Sequence, residues 1–474
     1  MLNDQTIAGQ PLGQRTLRLP QLDLLRGVAV LLVLAHHHVY AYPNAGFLGP
    51  LVNIKFGWTG VDLFFVLSGF LVGGLLFNEW KQSGSMNVIR FWIRRGFKIW
   101  PAYFIYVAAM AIWYVVDGSQ GGPGRVLTLL LPNLLHLQSY VTSPLIHTWS
   151  LAVEEHFYLV LPLVLLLASR QNEDRRRAAR LLLLAGAGIL NLLIGAYTTL
   201  GSFLPLATMP EEMQSSLRPY LQTGFLWLSG LQMLGLAALF WMVAHARRSQ
   251  GNNLPALQPI AIGVMALCFV YRLCNELLSS QFGLNLTYDF YATHVRIDSL
   301  FFGVLLGYWH HFRPDRLQRV ARHRGLLIIL GAVLVTCVPA ISSFTILFSL
   351  GFVLIYLGCG CLLLAVVYTP PGKGWLGKFL SSGPSRGLAF IGYYSYSIYL
   401  WHLGPLRTWM DQWLFSRLEH WQSAEAKWVI MAVLSVGGAV LLGVLMARII
   451  EQPFLRLRDR LFPARTDALP HLPT

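Results

Sequence analysis

The stretch GVDLFFVLSGFLVGGLLF, residues 60–77, decides the fold. Only Asp62 carries a charge in it. A helix of this length rises about 27 Å, close to the hydrocarbon thickness of a bilayer, about 30 Å. Windows of the same kind recur along the chain near 22–40, 56–79, 97–117, 148–168, 180–200, 224–246, 257–278, 294–311, 325–341, 344–368, 387–405 and 428–449. The whole composition agrees: of 474 residues, 55% are hydrophobic and only 12% charged. A soluble domain carries about 25% charged residues. The expected fold is all-α, a polytopic transmembrane bundle of about ten to twelve spans.

Net charge is +15, and its placement matters more than its size. Of 36 Lys and Arg residues, 28 fall in the two tails and alternate loops; the others are Lys55, Arg125, Arg218, Arg272, Arg296, Arg407, Arg417 and Lys427. Positive loops stay on the cytoplasmic side, so both termini are expected there. Nucleic-acid binding is not expected, because the arginines lie in short runs between apolar stretches, without a basic arm. The five cysteines all sit in apolar stretches and show no metal-ligand spacing. The first span follows a polar tail and lacks small residues at a cleavage site, so it is expected to stay as a helix. Residues 1–20 then form a cytoplasmic tail, 21–460 the membrane domain and 461–474 a second cytoplasmic tail.

Several ionisable residues interrupt the apolar spans, and such residues mark function by default. Arg26 and His37 are 11 residues apart, which puts them within about 20° on one helix face and about 16 Å apart along the axis. His37 is expected near mid-membrane, while His36 and His38 point about 100° to either side. Asp62 opens the second span, with Ser68-Gly69 deeper; a helix-start charge and close helix packing are the structural alternatives. Arg90, Arg94 and Lys98 recur at i, i+4, i+8 beside Arg95, a row suited to phosphate or to anionic headgroups. His147-Thr-Trp149-Ser150-Leu-Ala-Val-Glu154-Glu155-His156-Phe-Tyr158 places two carboxylates inside an apolar helix. Arg296 and Asp298, at i and i+2, cannot share a face, so each needs a partner elsewhere in the bundle. His402 closes Tyr399-Leu-Trp401-His402, and Glu451 lies near the end of the last span. A secondary transporter relaying protons through Arg, His and Glu is the competing reading, but such transporters show repeats and paired broken spans that are not evident here.

In this order the motifs resemble the acyltransferase-3 family of integral membrane O-acyltransferases, over about residues 21–460. The matching residues are Asp23, Arg26 and His37, then Gly60–Phe70, Trp149–Tyr158, Arg296-Ile-Asp298, Tyr399-Leu-Trp401-His402 and Glu451-Gln-Pro453. Lys98 stands where an arginine is usual, and His156 where a Gln is common. The resemblance implies transfer of an acyl group, most often acetyl, from cytoplasmic acyl-coenzyme A to a hydroxyl of an envelope or exported glycan, or of a lipid-linked or related acceptor. A non-catalytic acyltransferase-like membrane protein is the remaining alternative. The family reading makes His37 the general base and Arg26 a donor-positioning or oxyanion group, with Asp23 or Glu154 orienting the histidine. Arg90, Arg94, Arg95 and Lys98 would hold donor phosphates. Asp62, Ser68, Trp149, Arg296, Asp298, His402 and Glu451 are substrate or structural candidates, Ser68 also as an acyl carrier. No metal is expected. The location implied is a bacterial inner membrane.

Overall fold

The computed structural model describes residues 20–42, 45, 57–118, 120–141, 143–169, 174, 176–189, 254, 256–282, 291–418 and 423–463. No strand occurs among them, and the architecture is a bundle of helices. In chain order these are α1 (Pro20–Ala41), α2 (Thr59–Ser83), α3 (Val88–Asp117), α4 (Pro123–Leu134), α5 (Trp149–Ala168), α6 (Leu257–Phe282), α7 (Thr293–Arg296), α8 (Asp298–Phe312), α9 (Pro314–Ala321) and α10 (Arg324–Cys337). They continue with α11 (Phe344–Val367), α12 (Gly374–Leu380), α13 (Gly383–Tyr393), α14 (Ser395–Trp401), α15 (Pro405–Leu418) and α16 (Ala424–Leu461). Seven of the described helices are long and apolar enough to cross a membrane, and an eighth crossing exists if the pair α9 and 324–340, bent by 84°, is one span. The protein is therefore a multi-pass membrane protein. The predicted span 224–246 and the far part of 180–200 lie outside the described residues.

Local chemistry explains the ends. Gly84 and Gly118 close α2 and α3 at φ +64° and +69°, a left-handed conformation that favours glycine. The Asn87 side chain accepts the Arg90 backbone N–H at 3.0 Å and starts α3. That cap starts the helix nine residues before the predicted 97, so the basic run lies within the span's own helix. The predicted span 387–405 is built from two short helices, α13 and α14, and 294–311 is broken at Ile297 between α7 and α8. Each of these regions carries polar residues that a single lipid-facing helix would leave exposed.

Glycines set the closest crossings. A Cβ on Gly69 would lie 1.9 Å from the Leu300 carbonyl oxygen, and one on Gly303 would lie 2.2 Å from that of Val66. Small residues let backbones touch in this way, so α2 and α8 pack without intervening side chains. Ser68-Gly69 thus combines a packing glycine with a cavity-lining serine. Gly69→Val should force the helices apart and cost about 1–3 kcal/mol or more. A thermal melt of the purified protein unchanged by Gly69→Val would refute that crossing.

Two buried ion pairs tie the same region together. Arg296 donates to both carboxylate oxygens of Asp62 at 3.0 Å, and Ser299 Oγ adds a bond to Asp62 Oδ1 at 3.0 Å. Arg272 Nη2 meets Asp298 Oδ2 at 2.8 Å. Both guanidinium groups pack over the Phe352 ring, at 3.7 Å for Arg296 and 5.4 Å for Arg272. All four charged side chains are buried. The separate partners required for Arg296 and Asp298 are thereby found on α2 and α6. Trp149 lies on the same cluster, its ring 5.5 Å from the Arg296 guanidinium and 4.9 Å from Tyr291.

Candidate active site

A cavity of about 860 Å³ runs along α2, with Asn78 and His311 at one end and Val61 and Tyr399 at the other. From Val61 to Asn78 is 17 residues, about 26 Å of helix axis. Its walls carry Asp23 and Arg26 of α1, Ser68 of α2, Arg95 and Lys98 of α3, Glu154 and Tyr158 of α5, and Glu451 of α16. Glu451 belongs to a π-helical turn, Ala447–Glu451, and accepts from Ser397 Oγ at 2.9 Å. Such turns widen a helix locally and recur at functional sites.

The cavity's charges differ in what already holds them. Arg26 Nη1 donates to Asp23 Oδ1 at 3.1 Å. Tyr158 donates its hydroxyl to Glu154 Oε2 at 2.7 Å, and its oxygen lies 2.6 Å from Ser68 Oγ. With Glu154 accepting the one tyrosine proton, Ser68 is the donor in the second bond. Arg95 lies with its guanidinium 5.1 Å from the Tyr158 ring. Neither Arg95 nor Lys98 forms a hydrogen bond or ion pair among the described residues. Two cations with open donors therefore face the cavity.

The expected row of four cations divides in the structure. Arg94 points to the last helix, where it pairs with Asp459 at 3.3 Å and donates to the Phe462 carbonyl. Arg90 and Arg94 do not line the cavity. Helix geometry gives the reason: each i+4 step drifts by about 40°, so Lys98 lies nearer the Arg95 direction than Arg90 does. The cavity face is centred on Arg95 and Lys98.

Beyond Tyr399 the site changes character. His37, His147 and His402 come together from α1, the turn before α5 and the end of α14. The His402 ring lies 5.0 Å from that of His37, 5.2 Å from that of His147 and 5.5 Å from that of Tyr399. Tyr399 donates to the His147 carbonyl at 2.6 Å and pairs with Ser150 Oγ at 2.6 Å. It forms the partition between the cation-lined cavity and the histidines. Among the described residues no group of His, Cys, Asp or Glu is arranged to hold a metal.

Two placements differ from the sequence reading. His37 stands four residues, about 6 Å, from the end of α1 and so lies near its far end rather than at mid-depth. Asp23 is 14 residues from His37 on one helix, about 21 Å, and binds Arg26; Glu154 binds Tyr158. Neither carboxylate orients His37, whose ring neighbours are His36 and His402. Arg272, Tyr158, Tyr399 and His147 take structural parts that no spacing in the sequence assigns them. An arginine inside the apolar 257–278 window was a signal for the first. The others sit inside the motifs around Glu154 and His402 without a distinguishing spacing.

The architecture defines a membrane-embedded helical protein with a cavity whose largely apolar wall carries a few charged side chains. Residues 19–297 match the profile of the acyltransferase-3 domain, an acyltransferase domain, and the chain belongs to that family. It is similar to the peptidoglycan O-acetyltransferase OatA of Listeria monocytogenes, 33% identical over 160 residues, which are 31% of this chain and 24% of that one. It is also similar to the O-acetyltransferase OatA of Staphylococcus aureus, 29% identical over 159 residues, again 31% and 24% of the two chains. These alignments cover about a quarter of the relatives' length. No solved structure matches the chain.

Proposed function

We propose that the protein is an O-acyltransferase that takes an acyl group, acetyl in the first instance, from acyl-coenzyme A and passes it to a hydroxyl of an envelope glycan, with peptidoglycan the leading acceptor class. The observation that carries this reading is the pair of cations Arg95 and Lys98, which make no hydrogen bond or ion pair among the described residues, inside a long cavity that ends beneath a histidine cluster. Charge-assisted hydrogen bonds to phosphate are the natural use of such donors. The donor's phosphates then sit at Arg95 and Lys98 with its thioester directed to Tyr399. His37 acts as general base on the acceptor hydroxyl, and Arg26 steadies the donor from the opposite wall. Ser68 lies at the level of the cations, not of the thioester, so its bond to Tyr158 serves to hold Glu154 and the cavity wall. The 28 basic residues of the tails and alternate loops support a cytoplasmic side for both termini, and with them for the Asn78 end of the cavity, in what this reading takes to be a bacterial inner membrane.

The test is acetyl transfer by purified protein from acetyl-coenzyme A to soluble peptidoglycan fragments, followed by mass spectrometry. Fragments that gain acetyl esters support the reading; intact fragments and intact donor overturn it. Arg95→Gln and Lys98→Gln should each raise the donor KM about 10- to 150-fold, the loss of one charge-assisted bond of about 1.5–3 kcal/mol. Arg94→Gln should leave that KM unchanged and weaken the tie to the last helix. Equal effects at Arg94 and Arg95 would show that general basicity, not the cavity, binds the donor.

A further inference from the structure

We infer that His402 is the second member of a proton relay with His37, so that the acceptor's proton passes from the His37 ring to the His402 ring. The assignment rests on the acyltransfer reading above and deepens it. His402 is completely buried. Its Nδ1 lies 2.6 Å from the Tyr399 carbonyl oxygen, which can only accept, so Nδ1 carries the proton and donates it. In a neutral imidazole the other nitrogen is then a lone-pair acceptor. That Nε2 has no hydrogen-bond partner among the described residues, although it is buried. An unsatisfied buried acceptor is uncommon and calls for an explanation. The structure offers one: the nearest titratable ring from another helix is His37, with centroids 5.0 Å apart and planes inclined by 49°.

The surroundings restrict the alternatives. The groups that face His402 are His37 from α1, His147 from the turn before α5, Tyr399 from its own helix and Arg407 from α15. None is a carboxylate, and among the described residues the other ionisable groups around His37 are His36, His147 and Arg407, so no acidic partner stabilises an imidazolium there as in serine-protease chemistry. His147 Nε2 lies 3.3 Å from the Leu400 carbonyl. Tyr399 has committed its one proton to the His147 carbonyl. That leaves two imidazole acceptors, His147 Nδ1 and His402 Nε2, and it is the His402 ring that meets His37, while Nε2 is the buried nitrogen without a partner among the described residues.

The step balances without another reactant. The acceptor oxygen forms a bond to the acyl carbon and loses its proton to His37. His37 passes a proton to His402 Nε2, and the carbon–sulfur bond of the thioester breaks. The thiolate that leaves takes up the proton as it returns through His37, giving free coenzyme A and the ester. His402 thus acts through His37 and touches no substrate atom.

His402→Gln keeps the side chain's length and a polar end near the Nε2 position but cannot carry the proton; His402→Asn keeps the end near Nδ1. Both are compared with wild type using acetyl-coenzyme A, with peptidoglycan fragments as acceptor and with water as acceptor, the second read as donor hydrolysis. The expected result is a kcat lower on the order of 10²-fold in His402→Gln with the donor KM unchanged. Combining it with His37→Ala should cost nothing further, since residues acting as a unit are not additive. Wild-type kcat in His402→Gln would overturn the relay while leaving the acyltransfer reading intact, as would losses that multiply in the double variant. Loss in both variants with a raised donor KM and an early melt would make His402 a packing residue. A wild-type protein that neither transfers nor hydrolyses would remove the acyltransfer reading and the relay with it.

Discussion

Replacing His37 by Ala should lower turnover about 10²- to 10⁴-fold, the usual contribution of a general base, with the protein still inserted and folded. Its ring meets His36 and His402 and packs against no ion pair, so its removal leaves the bundle's buried charges satisfied. The neighbours separate the catalytic from the structural effect. His36 lies against Tyr40 at the end of α1, and His36→Ala should keep most of the turnover. His38 is buried against Trp428 at 4.9 Å and Tyr42 at 5.1 Å, so His38→Ala should lower the melting temperature more than the rate. Turnover that survives in His37→Ala and vanishes in His36→Ala would show that a different ring takes the proton.

Arg296→Leu should be the most destabilising single change in the bundle, because it leaves Asp62 with a buried and uncompensated charge. Breaking one partner of such a pair costs about 3–5 kcal/mol. Ser299 alone cannot replace two guanidinium hydrogen bonds to the carboxylate. The companion variant Asp62→Asn with Arg296→Leu should recover much of the loss, since the unpaired charge is then gone. Detergent-stable yield and melting temperature report both. A double variant no better than Arg296→Leu alone would mean that packing over Phe352, not charge, holds the site.

How far the sequence revealed this protein depends on what each residue had to meet. Spans such as α1, α2 and α5 were readable because hydrocarbon demands long apolar helices and one charge-poor window identifies each. Arg26 and His37 were readable because both lie on one unbroken helix, where spacing fixes direction. The pairing of Arg296 with Asp62 was not, since it joins residues 234 apart across α2 and α7. Likewise nothing local told Arg94, which pairs with Asp459, from Arg95, which faces the cavity: they are adjacent in the chain and differ by 100° around the helix. The orienting roles expected for Asp23 and Glu154 have another source. Motif order brought them near His37 on paper, while α1's own length kept Asp23 about 21 Å away.

The central claim is that a donor enters the Arg95–Lys98 cavity from the side of the termini and its acyl group leaves by the histidine cluster on the other. The most direct measurement uses sealed membrane vesicles of both orientations, with radiolabelled acetyl-coenzyme A supplied outside only and peptidoglycan fragments enclosed. Vesicles with the termini facing outward should label the enclosed fragments, those of opposite orientation should not, and the Arg95→Gln, Lys98→Gln variant should be silent in both. Labelling only when the termini face inward, or equal labelling in both orientations by intact vesicles, would contradict the account.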